Sequence, residues 1–117
     1  MTFDEYQVLA RRTQIDELTI DDKLNHALHG LVAEVGEIHS IYQKEYQGHP
    51  VDNEKVLDEL GDLLWFVSEI ADALGFHLSS IANHNVSKPL ERYPDGFDAE
   101  RSVNRPEYQE VNRHDED

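Results

Sequence analysis

The sequence predicts an all-α protein: four helices built around one long antiparallel helical hairpin. Three observations lead there. Apolar residues recur at spacings of three and four along two segments of about 25 residues each. Capping residues and glycines bracket both segments. No stretch alternates apolar and polar residues as a half-buried strand would. A chain of 117 residues can bury a single modest core, so one domain is expected.

Thr2 with Glu5 three positions later is a capping box, opening a first helix over "FDEYQVLARR" with Phe3, Tyr6 and Ala10 as its apolar stripe. "TQIDELTID" then connects to a second helix, started by Asp21 or Asp22 and broken near Tyr46 by "QGHP". Its expected core-facing seam is Leu24, Leu28, Leu31, Val35, Ile38 and Tyr42. Asp52 or Asn53 starts a third helix, where Val56, Leu60, Leu63, Val67, Ile70 and Leu74 repeat that spacing until Gly75 stops it. The short loop between these two makes them an antiparallel hairpin. A fourth helix is expected from His77 to Lys88, with Leu78, Ile81 and Val86 facing in and Pro89 kinking or ending it. "RYPDGF" is a turn, and "AERSVNR" has the composition of one more short helical turn. The domain therefore spans 1–105, and the acidic "PEYQEVNRHDED" of 106–117 is expected to be a poorly ordered tail.

Twenty-five acids against ten Lys plus Arg leave a formal net charge of −15. That excludes tracking of a long nucleic-acid backbone, which needs a basic footprint. A small phosphorylated molecule stays possible through a bridging cation. The absence of cysteine rules out a disulfide framework, a thiolate metal site and a thiol nucleophile. "MTFDEYQVLARR" lacks the apolar run of a signal peptide and nothing approaches a membrane span, so a cytoplasmic location is the expectation.

Chemistry is suggested by "AEVGEI" at 33–38 and "DELGDL" at 58–63. Each pairs two acids three residues apart, with a glycine just before the second: Glu34, Gly36, Glu37, then Glu59, Gly61, Asp62. On a helix such residues share a face, with Cβ atoms about 5–6 Å apart. Gly30, Glu34, Glu37 and Ile41 make a stripe beside one seam, and Glu59, Asp62, Phe66 and Glu69 a matching stripe beside the other. Packing seam on seam turns both pairs toward one cleft, where four carboxylates need a proton or a cation. An all-oxygen set suits Mg²⁺ or Mn²⁺. Each glycine costs about 1 kcal/mol of helix propensity relative to Ala. Close helix approach and room beside the acids are the expected return. The competing reading is two solvated acidic faces with salt bridges such as Lys55 to Glu59; spacing alone does not decide, since Glu69 and Asp72 share it.

"LVAEVGEI" followed by "LDELGDLLWFV" resembles the two-part metal motif of the all-α nucleoside triphosphate pyrophosphohydrolases, in particular the MazG-like group. That motif is Glu-x-x-Glu, a spacer, then Glu-x-x-Asp; the spacer here is 21 residues, Ile38 to Asp58. "TFDEYQ", "QGHPVDNEKVLDELGDLLWF" and "NVSKPLERYPDGFDAERSVNR" extend the similarity to small single-domain bacterial and phage members, over Thr2 to Arg105. The resemblance implies a four-helix MazG-like bundle forming a homodimer or a dimer of dimers. Apolar surface left on the long helices of a lone chain points the same way. It implies hydrolysis of nucleoside triphosphates, dNTPs foremost, to monophosphate and pyrophosphate, for pool control or removal of aberrant nucleotides. Glu34, Glu37, Glu59 and Asp62 would hold Mg²⁺, with Mn²⁺ a substitute, and one of them would double as general base.

Further site residues follow from the same resemblance. Lys55, one turn before Glu59, is either a substrate lysine or half of a surface salt bridge. Lys88 and Arg92 match a second basic pair, while Asn85 either contacts phosphate or sugar or caps a helix end. Trp65 either stacks on a base or packs in the core, and Tyr93 is similarly open. Pro89 stands where relatives carry Leu, so a bend is expected in the helix bearing Lys88 and Arg92. His26 and His29 are spaced to share a zinc ion but lack a third ligand, and no Glu-x-x-His pair supports a di-iron bundle. Alternatives are a dimeric dUTPase-like or phosphoribosyl-ATP pyrophosphatase-like enzyme, or a helical module that binds a nucleotide or protein without turnover. "RYPDGF" favours the MazG-like group over the phosphoribosyl-ATP enzymes.

Overall fold

Local signals place the helix ends. Thr2 Oγ1 accepts from the Glu5 N–H at 3.1 Å and donates to Glu5 Oε1 at 3.2 Å, starting α1 (Phe3–Arg11). Thr19, not Asp21 or Asp22, starts α2 (Ile20–Tyr46), accepting from the Asp22 N–H at 3.1 Å. The hydroxyl takes the cap, and both aspartates fall in the first turn, where negative charge meets the positive helix end. Asp52 caps α3 (Asn53–Leu74), and Gly75, in the left-handed region at φ 76, closes it. Phe76 N–H reaches back to Ala71 O at 2.8 Å in that closing turn. α4 (Leu78–Arg92) and α5 (Ala99–Val103) complete the order, α5 being the short turn read over "AERSVNR". This computed structural model describes residues 1–105, and the tail expected over 106–117 lies outside the described residues. No strand occurs among the described residues, and no helix there is long and apolar enough to cross a membrane.

The chain forms two compact units, Met1–Ser79 and a second from Ser80 onward. In the second, Pro89 does not end α4, which continues to Arg92. Proline removes only its own N–H, so the ladder resumes beyond it, with Tyr93 N–H donating to Pro89 O at 2.7 Å. "RYPDGF" is the expected turn: Gly96, at φ 102, donates to Tyr93 O at 3.1 Å, and the Tyr93 and Phe97 rings lie 5.3 Å apart.

In the first unit α2 and α3 pair as the expected hairpin. The loop at 47–52 turns at Gly48 (φ 92), with the His49 N–H donating to Lys44 O at 3.0 Å. The leucine seams, however, are only partly the faces that meet: Leu24, Leu31 and Ile38 on α2 and Val56, Leu63, Val67 and Ile70 on α3 are half-buried. Leu28, Val35 and Tyr42 on α2 and Leu60 and Leu74 on α3 remain exposed, 40–51% of each accessible. Beside them the stripes that carry the acids turn partly inward, with Glu34 and Glu59 half-buried and Glu37 and Asp62 exposed. Ala27 and, across the hairpin, Ser68, Glu69, Ala71 and Ala73 are buried, and the Phe66 ring occupies the space a Cβ at Gly30 would fill. Gly36 and Gly61 have no such neighbour: among the described residues nothing beyond the adjoining backbone of the same helix comes within 4 Å of a Cβ built on either. The close approach expected at those two glycines occurs at Gly30 instead.

Polar contacts hold α1 on this hairpin more than the apolar stripe read from sequence. Of that stripe Ala10 is buried, Tyr6 half-buried and Phe3 exposed, while Gln7 is only 3% exposed. Asp72 gathers Gln7 Nε2 at 2.8 Å, Arg11 Nη2 at 2.7 Å and Gln14 Nε2 at 2.9 Å. Burial would raise the Asp72 pKa, but these hydrogen bonds and the Arg11 charge hold it below the ordinary carboxylate value. Gln7 Oε1 also accepts from the Leu78 N–H at 2.9 Å, and Asp4 accepts from Ser79 through N–H and hydroxyl. Side chains from α1 thus satisfy the free donors at the start of α4.

Candidate metal centre

Successive turns of the inner faces carry the acids. Glu34 lies one turn beyond Gly30 on α2, and Glu59 and Asp62 lie on the stripe of α3 that continues to Phe66 and Glu69. Because the Gly30–Phe66 contact brings the helices close, oxygens of Glu34, Glu59 and Asp62 all come within 4.8 Å of one another. Ligands around one Mg²⁺, each about 2.1 Å from the ion, stand about 3–4 Å apart, so closure needs a shift of an ångström or so.

Electrostatics mark the same place. The Glu34 carboxyl is pushed up to about 7, first by a hydrogen bond with Glu59, then by burial and by the charges of Glu59, Asp62 and Glu37. Glu34 Oε2 is buried with no hydrogen-bond partner. A crowded carboxylate set that holds a proton and leaves one oxygen unsatisfied fits a hard divalent cation, which would replace the proton and take the free lone pairs. Tyr6 borders the set. Burial and the Asp62 charge both raise its hydroxyl pKa.

Glu37 stands outside the group of three. It lines a cavity of about 470 Å³ at the mouth of the hairpin, with Lys55 and Glu59 also on its wall. Lys55 and Glu59 do not form the salt bridge that their spacing suggested: the ion pairs of the first unit are Arg11–Asp72 and His26–Glu69. Asn85, Lys88 and Arg92 belong to the second unit, on α4, and the helix bearing them runs through Pro89. Trp65 donates its indole N–H to Thr13 Oγ1 at 2.9 Å and meets the Phe66 ring edge-on at 5.1 Å.

Of the two histidines whose spacing suits zinc, His26 has a different partner. His26 Nδ1 lies 3.0 and 3.1 Å from the two oxygens of Glu69, whose side chain is fully buried. Among the described residues the one group of three that could hold a metal contains no histidine. That ion pair, the Asp72 hub and the cavity at the hairpin mouth escaped the sequence reading. Each joins residues more than a helix apart, and the only available trace was Glu69 on the acid stripe.

The family model for the MazG nucleotide pyrophosphohydrolase domain matches residues 23–97, which include all four motif acids. The chain belongs to the MazG nucleotide pyrophosphohydrolase family. It is also similar to the Gene 37 protein of Mycobacterium phage L5, 30% identical over 101 residues that cover 79% of this chain and 89% of that protein. No solved structure matches. The matched span contains the Glu34–Glu59–Asp62 cluster.

Proposed function

We propose that this chain is a Mg²⁺-dependent nucleoside triphosphate pyrophosphohydrolase acting on dNTPs, in nucleotide pool control or removal of aberrant nucleotides. The observation that carries the reading is the Glu34–Glu59–Asp62 cluster with its unsatisfied buried oxygen, in a member of the MazG family. Water adds through its oxygen to the α-phosphorus, the α–β anhydride bond breaks, and pyrophosphate departs with the bridging oxygen. Glu34, Glu37, Glu59 and Asp62 hold the metal, and one of them takes the proton of the attacking water. When bound, Mg²⁺ supplies charge neutralisation at the phosphates and a lowered water pKa. Mn²⁺, similar in ligand preference, is the natural substitute.

Lys55 on the cavity wall, and Asn85, Lys88 and Arg92 on α4, are assigned to the phosphates and sugar, where cationic donors stabilise the departing charge. Trp65 keeps a packing role through Thr13 and Phe66, and its ring is the candidate surface for the base. Exposed Val32, Val35, Leu57 and Leu60 along the two long helices support a homodimer, or a dimer of dimers, that covers them. A cytoplasmic setting follows from that substrate.

The test is pyrophosphate release from a panel of dNTPs and NTPs with Mg²⁺, Mn²⁺ or chelator, for wild type, Glu34→Gln and Asp62→Asn. Metal-dependent turnover lost in both folded variants is the expected result. Folded wild type that binds nucleotides without releasing pyrophosphate would instead make the chain a binding module.

A further inference from the structure

The cavity at the hairpin mouth carries more than the motif assigns to it. Two carboxylates of the proposed metal set, Glu37 and Glu59, lie on its wall, so cavity and metal centre are continuous. Lys44, His49 and Lys55 face it together, and among the described residues neither lysine is in an ion pair. The chain has 10 Lys plus Arg and a net charge of −15, so two unpaired lysines on one cavity concentrate scarce positive charge.

These groups are held in place by backbone structure. His49 is tied back to the end of α2 by its N–H bond to Lys44 O at 3.0 Å, across the left-handed Gly48. Lys55 sits in the first turn of α3, fixed by the Asp52 cap that accepts from the Glu54 N–H at 3.0 Å. The positive end of the α3 dipole adds to the attraction for an anion there.

We infer that this cavity receives the phosphates beyond the scissile bond, the pyrophosphate end of the substrate, with Lys44 and His49 as contacts additional to Lys55. The inference rests on the pyrophosphohydrolase reading. A free anion would be repelled by the three carboxylates on the wall, Glu37, Asp52 and Glu59, so the occupant is a polyphosphate already carrying a divalent cation. Cationic N–H donors suit phosphate oxygens. A nucleobase is less well served, because the apolar lining is limited to Ile41 and Pro50 and offers no Phe, Tyr or Trp for stacking. Lys44 then helps determine specificity for triphosphates over diphosphates, since the terminal phosphate is the group it meets.

The experiment uses full-length wild type, Lys44→Met, Lys44→Arg and His49→Gln. All three substitutions fall at exposed side chains that can change without disturbing the core. Wild type is first scored for triphosphate turnover, so that failure of the pyrophosphohydrolase reading is seen separately. Calorimetry then measures magnesium pyrophosphate and nucleoside monophosphate binding, with Mn²⁺ binding as a control on the metal centre. Lys44→Met is expected to weaken magnesium pyrophosphate at least tenfold, His49→Gln less, and Lys44→Arg to recover part. Monophosphate and Mn²⁺ affinities should stay within twofold. A wild type that does not bind magnesium pyrophosphate would overturn the assignment. So would a Lys44→Met variant that binds it as wild type does, or one whose loss falls on the monophosphate. Lys44-dependent pyrophosphate binding without turnover would retain the subsite and reject the enzyme.

Discussion

Replacing Gly30 with alanine tests how the two long helices meet. A Cβ at this position would fall inside the contact distance of three Phe66 ring atoms, Cδ1, Cε1 and Cζ. The ring has little room to move aside, with Trp65 edge-on at 5.1 Å and the His26 ring at 6.0 Å. Overpacking of this kind costs about 1–3 kcal/mol, and the three-atom overlap places it near the upper end. Alanine returns about 1 kcal/mol of helix propensity. The net expectation is a loss of about 2 kcal/mol, a melting temperature lower by about 8 °C at roughly 4 °C per kcal/mol. Thermal unfolding followed by far-ultraviolet circular dichroism, in chelator so that metal binding does not contribute, gives the number. Gly36→Ala and Gly61→Ala are the controls. Each lies in open space within the chain and should gain up to about 1 kcal/mol. Phe66→Leu, made in the Gly30→Ala background, should recover part of the loss, because the two sites are coupled through one contact. An unchanged or higher melting temperature for Gly30→Ala would refute the packing argument.

Other outcomes follow from the buried polar groups. His26→Ala leaves the fully buried Glu69 without its partner and should cost about 2–3 kcal/mol in urea unfolding, whereas Glu69→Gln, which removes the charge, should cost less. Asp72→Ala strands the side-chain donors of the buried Gln7 and Gln14 and should cost about 3 kcal/mol. With its folded pKa depressed, Asp72 contributes stability above the ordinary carboxylate pKa of about 3.9, lost as pH falls through the lower folded value. Glu34 works in the opposite direction. Its folded value of about 7 lies above the ordinary 4.5, so its stabilising proton is fully bound below 4.5 and stability falls as pH rises through about 7. Chelated wild type should lose stability across that window, Glu34→Gln should not, and Mg²⁺ binding below its upper limit should release a proton, read from calorimetry in buffers of different ionisation heat.

The helices and most of their ends were legible because capping is local. Thr2 with Glu5, Asp52, and Gly75 each act on donors or carbonyls within a few residues. The start of α2 lies two or three residues before the expected Asp21 or Asp22, because Thr19 competes with these aspartates and its hydroxyl takes the cap. From the sequence Pro89 is expected to kink or end α4, because only the lost bond is visible there, not the ladder that resumes at Tyr93. Of the motif acids, Glu34, Glu59 and Asp62 were legible as a group through the three-residue spacing of each pair. Glu37, equally well spaced, stands on the cavity wall, since helix rotation and not spacing sets where a carboxylate ends up.

By itself, then, the sequence determined the all-α class, the helical hairpin, the acid pairs and, through them, the family. Each depends on interactions within one or two turns or on the order of short motifs. Tertiary structure alone decided which stripe of α2 meets α3. Both faces of each helix carry three- and four-residue spacing, and the choice falls to a fit between distant residues: the Phe66 ring against Gly30, and Glu69 buried beside His26. That choice leaves part of each leucine seam exposed and draws three of the acids together, because a helix that turns one stripe inward must turn its neighbour out.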